Sequence, residues 1–246
     1  MHAAGYETRE RHPFAQSAHL EVELPALSFE SVNRGRPFGP VAQFITNFVD
    51  EAVILPLIFA IALTLALLGW RRGALAWLVV ALATLGAMLA FKLAAVACGP
   101  HVLRSPSGHT AAAALVLGGV AVVLGRGRGW RAVLLVSLGG ALLIGLSRLF
   151  LHVHTAAEVM AGAAVGVAGA LVLARAAGPP PYPVQVRWLA GVALLVALIF
   201  HGANLNAEPL IDGAAFRLAH RLGVCVAEPP LLDPQHLRML RHPFAL

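Results

Sequence analysis

Residues 52–70 read AVILPLIFAIALTLALLGW, nineteen positions without a charge, and are closed by Arg71 and Arg72. A helix of that length rises about 28 Å at about 1.5 Å per residue, close to the roughly 30 Å hydrocarbon core of a bilayer. Apolar residues run on without polar alternation, so the stretch does not read as a barrel strand. Backbone exposed to lipid must satisfy its own hydrogen bonds, and a single segment does so only as a helix. The run therefore predicts a membrane-spanning helix.

The same reading repeats along the chain. Residues 74–98 are apolar except for Lys92. Further runs follow at 107–125, 132–151 and 154–174. A break rich in proline (Pro179, Pro180, Pro181, Pro183) precedes a shorter run at 188–202. The expected fold class is all-α, a polytopic transmembrane helix bundle of about six spans. Residues 51–202 form the transmembrane domain. Residues 1–50 form a polar N-terminal segment, too charged early on to read as a signal peptide, and residues 203–246 a C-terminal tail.

Composition agrees. Of 246 residues 59% are hydrophobic and only 12% charged, whereas a soluble domain is about a quarter charged. That excludes a disordered chain, a disulfide-stapled miniprotein and an ordinary cytosolic enzyme. Lysine plus arginine number 18 against 12 acids, a net charge of +6, and Lys92 is the one lysine. The arginines sit at the ends of apolar runs, where anionic head groups and topology account for them. Nucleic acid is not an expected partner; the membrane is. Cys98 and Cys225 make neither a disulfide framework nor a CxxC pattern.

Orientation follows from the short connections. Arg71, Arg72, Arg126, Arg128, Arg131, Arg175 and Arg187 fall after the first, third and fifth runs with no acid among them. The positive-inside rule puts that set in the cytoplasm and the opposite helix ends outside. The expected location is a bacterial inner membrane, with the chemistry facing the periplasm or exterior. Trp70, Trp77, Trp130 and Trp188 read as interface anchors. Gly162 and Gly166 form a small-xxx-small packing face. In the tail, Leu210, Ala214, Leu218 and Leu222 share one face at four-residue spacing. They fit an amphipathic helix on the membrane surface or a short solvated helix equally well.

An ionisable group inside a span costs roughly 2.5–3.5 kcal/mol on insertion scales, so each is a functional candidate. Lys92, His109, Arg148, His154 and Glu158 all map to the outward ends of their runs. Pro106-Ser107-Gly108-His109 suits a helix start, whose free N–H groups and dipole favour an anion. His154 and Glu158 are four apart on one helical face, so the carboxylate can hold one ring nitrogen and leave the other nucleophilic. Lys92 and Arg148 add fixed positive charge, Arg148 as a fork matched to phosphate oxygens. Together they describe a phosphate site.

These residues carry a family resemblance. Lys92 with Pro100, then Pro106-Ser107-Gly108-His109, then Ser147-Arg148, five residues, His154, three residues and Glu158, resembles the three-part signature of the type 2 phosphatidic acid phosphatases, which share a superfamily with the vanadium haloperoxidases. The resemblance covers about residues 50 to 175. It implies a phosphatidic acid phosphatase/haloperoxidase-like helical core and an integral membrane phosphatase acting on a lipid phosphate or pyrophosphate. By the family's roles, His154 is the nucleophile that becomes a phosphohistidine and His109 the acid that protonates the leaving oxygen. Glu158 stands where the family has Asp and orients His154. Lys92, Ser107, Gly108 and Arg148 match phosphate-binding positions. The family hydrolyses without a metal, so neither metal nor cofactor is implied.

Two departures bear on the site. Gly99 stands where the family's first motif has arginine, and Arg104, two residues before Pro106, is the expected substitute phosphate ligand. Glu158 keeps the charge of the family's Asp on an arm one methylene longer. A lipid phosphotransferase would use the same site, and a non-catalytic lipid-phosphate-binding relative would follow if Gly99 marked its decay. A metal centre built on His101, His109, His152, His154 and Glu158 is disfavoured, because there is no HExxH and helical geometry turns His152 from His154.

Overall fold

The computed structural model describes residues 38–98, 105–125, 129–181, 184–203, 205 and 208–223. Every element among them is an α-helix. In chain order these are α1 (Gly39–Asn47), α2 (Glu51–Leu67), α3 (Arg71–Cys98), α4 (Gly108–Leu124), α5 (Trp130–Phe150), α6 (Ala156–Ala176), α7 (Val186–Phe200) and α8 (Glu208–Leu222). The membrane helix bundle read from the sequence is the fold.

Among the described residues, four segments are long and apolar enough to cross a bilayer: 39–67, α3, α5 and α6. The apolar helices α4 and α7 are shorter. α3 has 28 residues, about 42 Å of helix, so it outruns the hydrocarbon by about 12 Å. Large side chains such as Leu63, Leu67, Leu75, Leu135, Leu142 and Leu143 point outward. An apolar exterior of this extent suits lipid rather than water.

α4 is the inner helix, packed against α3, α5 and α6. Its sequence explains the position: Ala111, Ala112, Ala113 and Ala114 are all buried, and small residues let neighbouring backbones close in. The reading of Gly162 and Gly166 as a packing face holds. A Cβ on Gly162 would run into the backbone of Ser107, and one on Gly166 into the backbone of Ala111. These contacts bring the start of α6 against the start of α4, and the two helix N-termini share one end of the bundle.

The tryptophans divide. Trp130 and Trp188 are exposed at helix ends, as interface anchors should be, but Trp70 and Trp77 are buried at 4% and 2%. Trp77 donates from Nε1 to the Ile58 carbonyl at 3.1 Å and packs in the core with Ile58, Ile61, Leu65, Leu115 and Leu173. Trp70 is buried in the same cluster, and a buried indole is a core residue, so the anchor reading is corrected for these two.

At the bundle's other elements, α1 is tied to α5 by a buried bond between the Thr46 and Ser147 hydroxyls at 2.8 Å. His201, after α7, lies 4.8 and 4.4 Å from the rings of Phe44 and Phe48. α8 packs on α3 through Ala215 and Ala219 and leaves Leu210, Leu218 and Leu222 exposed. Cys98 is disulfide-bonded; Cys225 lies outside the described residues.

Candidate active site

The end of the bundle that carries the starts of α2, α4 and α6 and the ends of α3 and α5 gathers the polar residues. The arginines of the opposite end do structural work there. Arg72 donates from Nε to the Ala176 carbonyl at 3.1 Å, and Arg131 and Arg187 lie over Trp130 and Trp188.

The turn from α5 to α6 sets the first histidine. Leu151 caps α5 and His152 follows with φ of +57°. The Val153 N–H bonds the Arg148 carbonyl at 3.2 Å and the His152 N–H bonds Leu149 at 3.0 Å, the two bonds of a Schellman motif. Glycine usually takes the left-handed position; here His152 takes it, and its Nδ1 donates to the Leu149 carbonyl at 2.8 Å. His152 thus builds the turn and does not join His154.

His154 comes two residues later, immediately before α6. Its Nδ1 lies 3.1 Å from Glu158 Oε2, with the two side chains 20% and 17% exposed. The same carboxylate oxygen accepts the Thr155 N–H at 2.8 Å, while Thr155 Oγ1 accepts the Glu158 N–H at 3.4 Å. This is a capping box. Glu158 therefore fixes the helix start and the imidazole at once. A carboxylate at Nδ1 makes that nitrogen the donor and leaves Nε2 with its lone pair. Burial holds the His154 pKa below the ordinary imidazole value, Arg148 and Lys92 push the same way, and Glu158 pulls back. The ring is kept neutral, the state a nucleophile needs.

Ser107 is fully buried and caps α4. Its Oγ accepts the Thr110 hydroxyl at 3.0 Å and the Thr110 N–H at 3.5 Å. Its own N–H is spent on the Glu158 carbonyl at 2.9 Å, so what it can offer an anion is the hydroxyl hydrogen. That backbone bond ties the two helix starts directly. Gly108 has no atom within 4 Å of where a Cβ would stand, which leaves space against the helix N-terminus where a phosphate can meet N–H groups.

Arg148, Lys92 and His154 all act electrostatically on His109, and Arg148 and Lys92 also act on His154. The predicted residues Lys92, His109, Arg148, His154 and Glu158 are therefore brought together. Arg104, Gly99 and His101 lie outside the described residues.

Asp50 and Glu51 were not foreseen. With His109 they offer three side-chain atoms within 4.8 Å of one another. Their trace in the sequence is an Asp-Glu pair at the start of the first apolar run. Lys92 and Arg148 act on Glu51 as well, and such neighbours oppose a bound cation, so the trio does not read as a metal site.

Residues 98–179 match the family model of the PAP2 superfamily, consistent with a type 2 phosphatidic acid phosphatase-like family. The matched stretch includes Ser107 to His109 and Arg148 to Glu158, and supports a phosphatase-like function in general within a membrane protein. No curated protein and no solved structure matches the chain.

Proposed function

We propose that the protein is an integral membrane phosphatase that hydrolyses a lipid phosphate or lipid pyrophosphate through a phosphohistidine on His154, at the outer membrane face. The observation that carries this reading is the hydrogen bond from His154 to Glu158 at 3.1 Å, set beside a capped and uncrowded helix N-terminus.

In the proposed reaction the phosphate lies against the start of α4, its oxygens held by Lys92, Arg148, the Ser107 hydroxyl and the backbone at Gly108, with Arg104 as a further ligand. His154 Nε2 attacks phosphorus as the bond to the leaving oxygen breaks, and His109 gives that oxygen a proton. Water then attacks the phosphohistidine and loses a proton to His109, and inorganic phosphate leaves. Phosphoryl transfer needs mostly positioning and electrostatic stabilisation, and two cations with two helix N-termini supply both.

The outer-face assignment is supported by the arginines gathered at the opposite helix ends. The test is phosphate release by the purified protein in micelles against phosphatidate, phosphatidylglycerophosphate, undecaprenyl pyrophosphate and lipid A phosphates. Release from at least one lipid is expected. Binding without turnover across the whole panel would contradict the reading and favour a non-catalytic lipid-phosphate binder.

A further inference from the structure

We propose that Glu51 is a positioning residue for His109, orienting the ring and favouring the proton that the leaving oxygen takes; this rests on the phosphatase reading above. The observation is the convergence of His109 with Asp50 and Glu51, whose side-chain atoms all lie within 4.8 Å. The two acids are not equivalent. Asp50 caps α2, its Oδ1 accepting the Ala52 N–H at 2.9 Å and the Leu205 N–H at 3.4 Å. Glu51 is the first residue of α2 and caps nothing, which leaves its carboxylate available to His109.

Burial of His109 and the charges facing it create the need. Lys92 from α3, Arg148 from α5 and His154 from the α5–α6 connection act on it, while Asp50 and Glu51 face it from α2. Cations collected to bind phosphate oppose a further proton on the general acid, and a carboxylate a few ångströms away favours one. The nucleophile has such a partner in Glu158; Glu51 gives the acid its own. The groups lie within 4.8 Å of one another, and catalytic bonds that are loose in a free enzyme tighten once substrate is bound.

The step balances simply. When the P–O bond breaks, its electron pair stays on the substrate oxygen and His109 gives that oxygen a proton. The ring is left neutral and recovers a proton from the water that hydrolyses the phosphohistidine.

The experiment compares leaving groups. An alkoxide from a short-chain phosphatidate needs the proton, whereas nitrophenolate from para-nitrophenyl phosphate leaves well without it. Purified full-length Glu51→Gln should turn over the phosphatidate about tenfold more slowly, while its para-nitrophenyl phosphate rate falls by less than about twofold. The basic limb of the phosphatidate profile should move down by about one pH unit, because an acid deprived of its carboxylate loses its proton sooner. Glu51→Asp should recover part of the loss. Equal slowing of both substrates, carried by KM, would overturn the inference and make Glu51 a counter-ion of Lys92 and Arg148; so would wild-type kinetics. Wild-type protein inert toward para-nitrophenyl phosphate and toward every lipid of the panel above would instead overturn the phosphatase reading, and with it the step that Glu51 serves.

Discussion

Replacing Glu158 by Gln removes one charge and almost no volume. In the wild type one oxygen, Glu158 Oε2, accepts both the Thr155 N–H at 2.8 Å and His154 Nδ1 at 3.1 Å. Gln keeps an amide oxygen able to accept the backbone bond, and Gln is as good as Glu at this position of a capping box. Folding stability should therefore change by less than about 1 kcal/mol. The bond to the imidazole loses its ionic character, and hydrogen bonds to charged groups contribute about 1.5–3 kcal/mol. If that support is realised as His154 takes the phosphoryl group, kcat should fall roughly 10- to 150-fold with KM little altered. The pH profile adds a sign. Burial, Arg148 and Lys92 lower the His154 pKa and Glu158 raises it. Without that charge the ring stays neutral to lower pH, so the acidic limb of kcat/KM should move down. The assay is phosphate release from a short-chain phosphatidate in micelles, with thermal unfolding in parallel. A variant within twofold of wild-type kcat and an unmoved acidic limb would refute the pairing.

Other outcomes are equally specific. Gly108→Ala meets no atom within 4 Å, so thermal stability should hold while turnover drops at least about tenfold, about 1.4 kcal/mol; full activity would mean that the space beside Gly108 is not the phosphate's. Gly162→Ala drives a methyl into the Ser107 backbone and should cost about 1–3 kcal/mol in unfolding measurements, with activity falling because the start of α4 moves. Arg104→Ala should lower turnover about tenfold to a hundredfold, about 1.4–2.7 kcal/mol, and Gly99→Arg added to it should restore activity. Wild-type rates for Arg104→Ala with no gain from Gly99→Arg would leave Gly99 as a gap in the phosphate shell.

Much of the bundle was legible because lipid imposes a simple rule. A helix that crosses a membrane must be apolar along its length, and the run at 132–151 emerges as α5 within two residues at either end. The pairing of His154 with Glu158 was equally legible, since four-residue spacing on a helix start fixes it. What escaped depended on contacts between elements. Trp77 looks like an anchor near a helix end, and only its bond to Ile58 across the α2–α3 pair makes it a core residue. Ser107 reads as a phosphate ligand, yet its N–H is taken by Glu158, a bond set by the close approach of Gly162 to α4. Asp50 and Glu51 escaped because they stand at a span's edge, where acids are ordinary, and their meaning appears only when α4 brings His109 beside them. His152 was expected to turn away from His154 and does, but its work as a turn residue shows only in the left-handed backbone there.

The central claim is that His154 carries the phosphoryl group. It is tested most directly by mixing excess purified protein with a lipid phosphate radiolabelled on the phosphoryl group, quenching within a single turnover in alkali, and mapping any label on the protein by peptide. The predicted result is an acid-labile, alkali-stable label on the peptide containing His154, absent from His154→Ala, which should fold as the wild type but release no phosphate. Turnover of the lipid by His154→Ala, or a label that maps to another residue, would contradict the account.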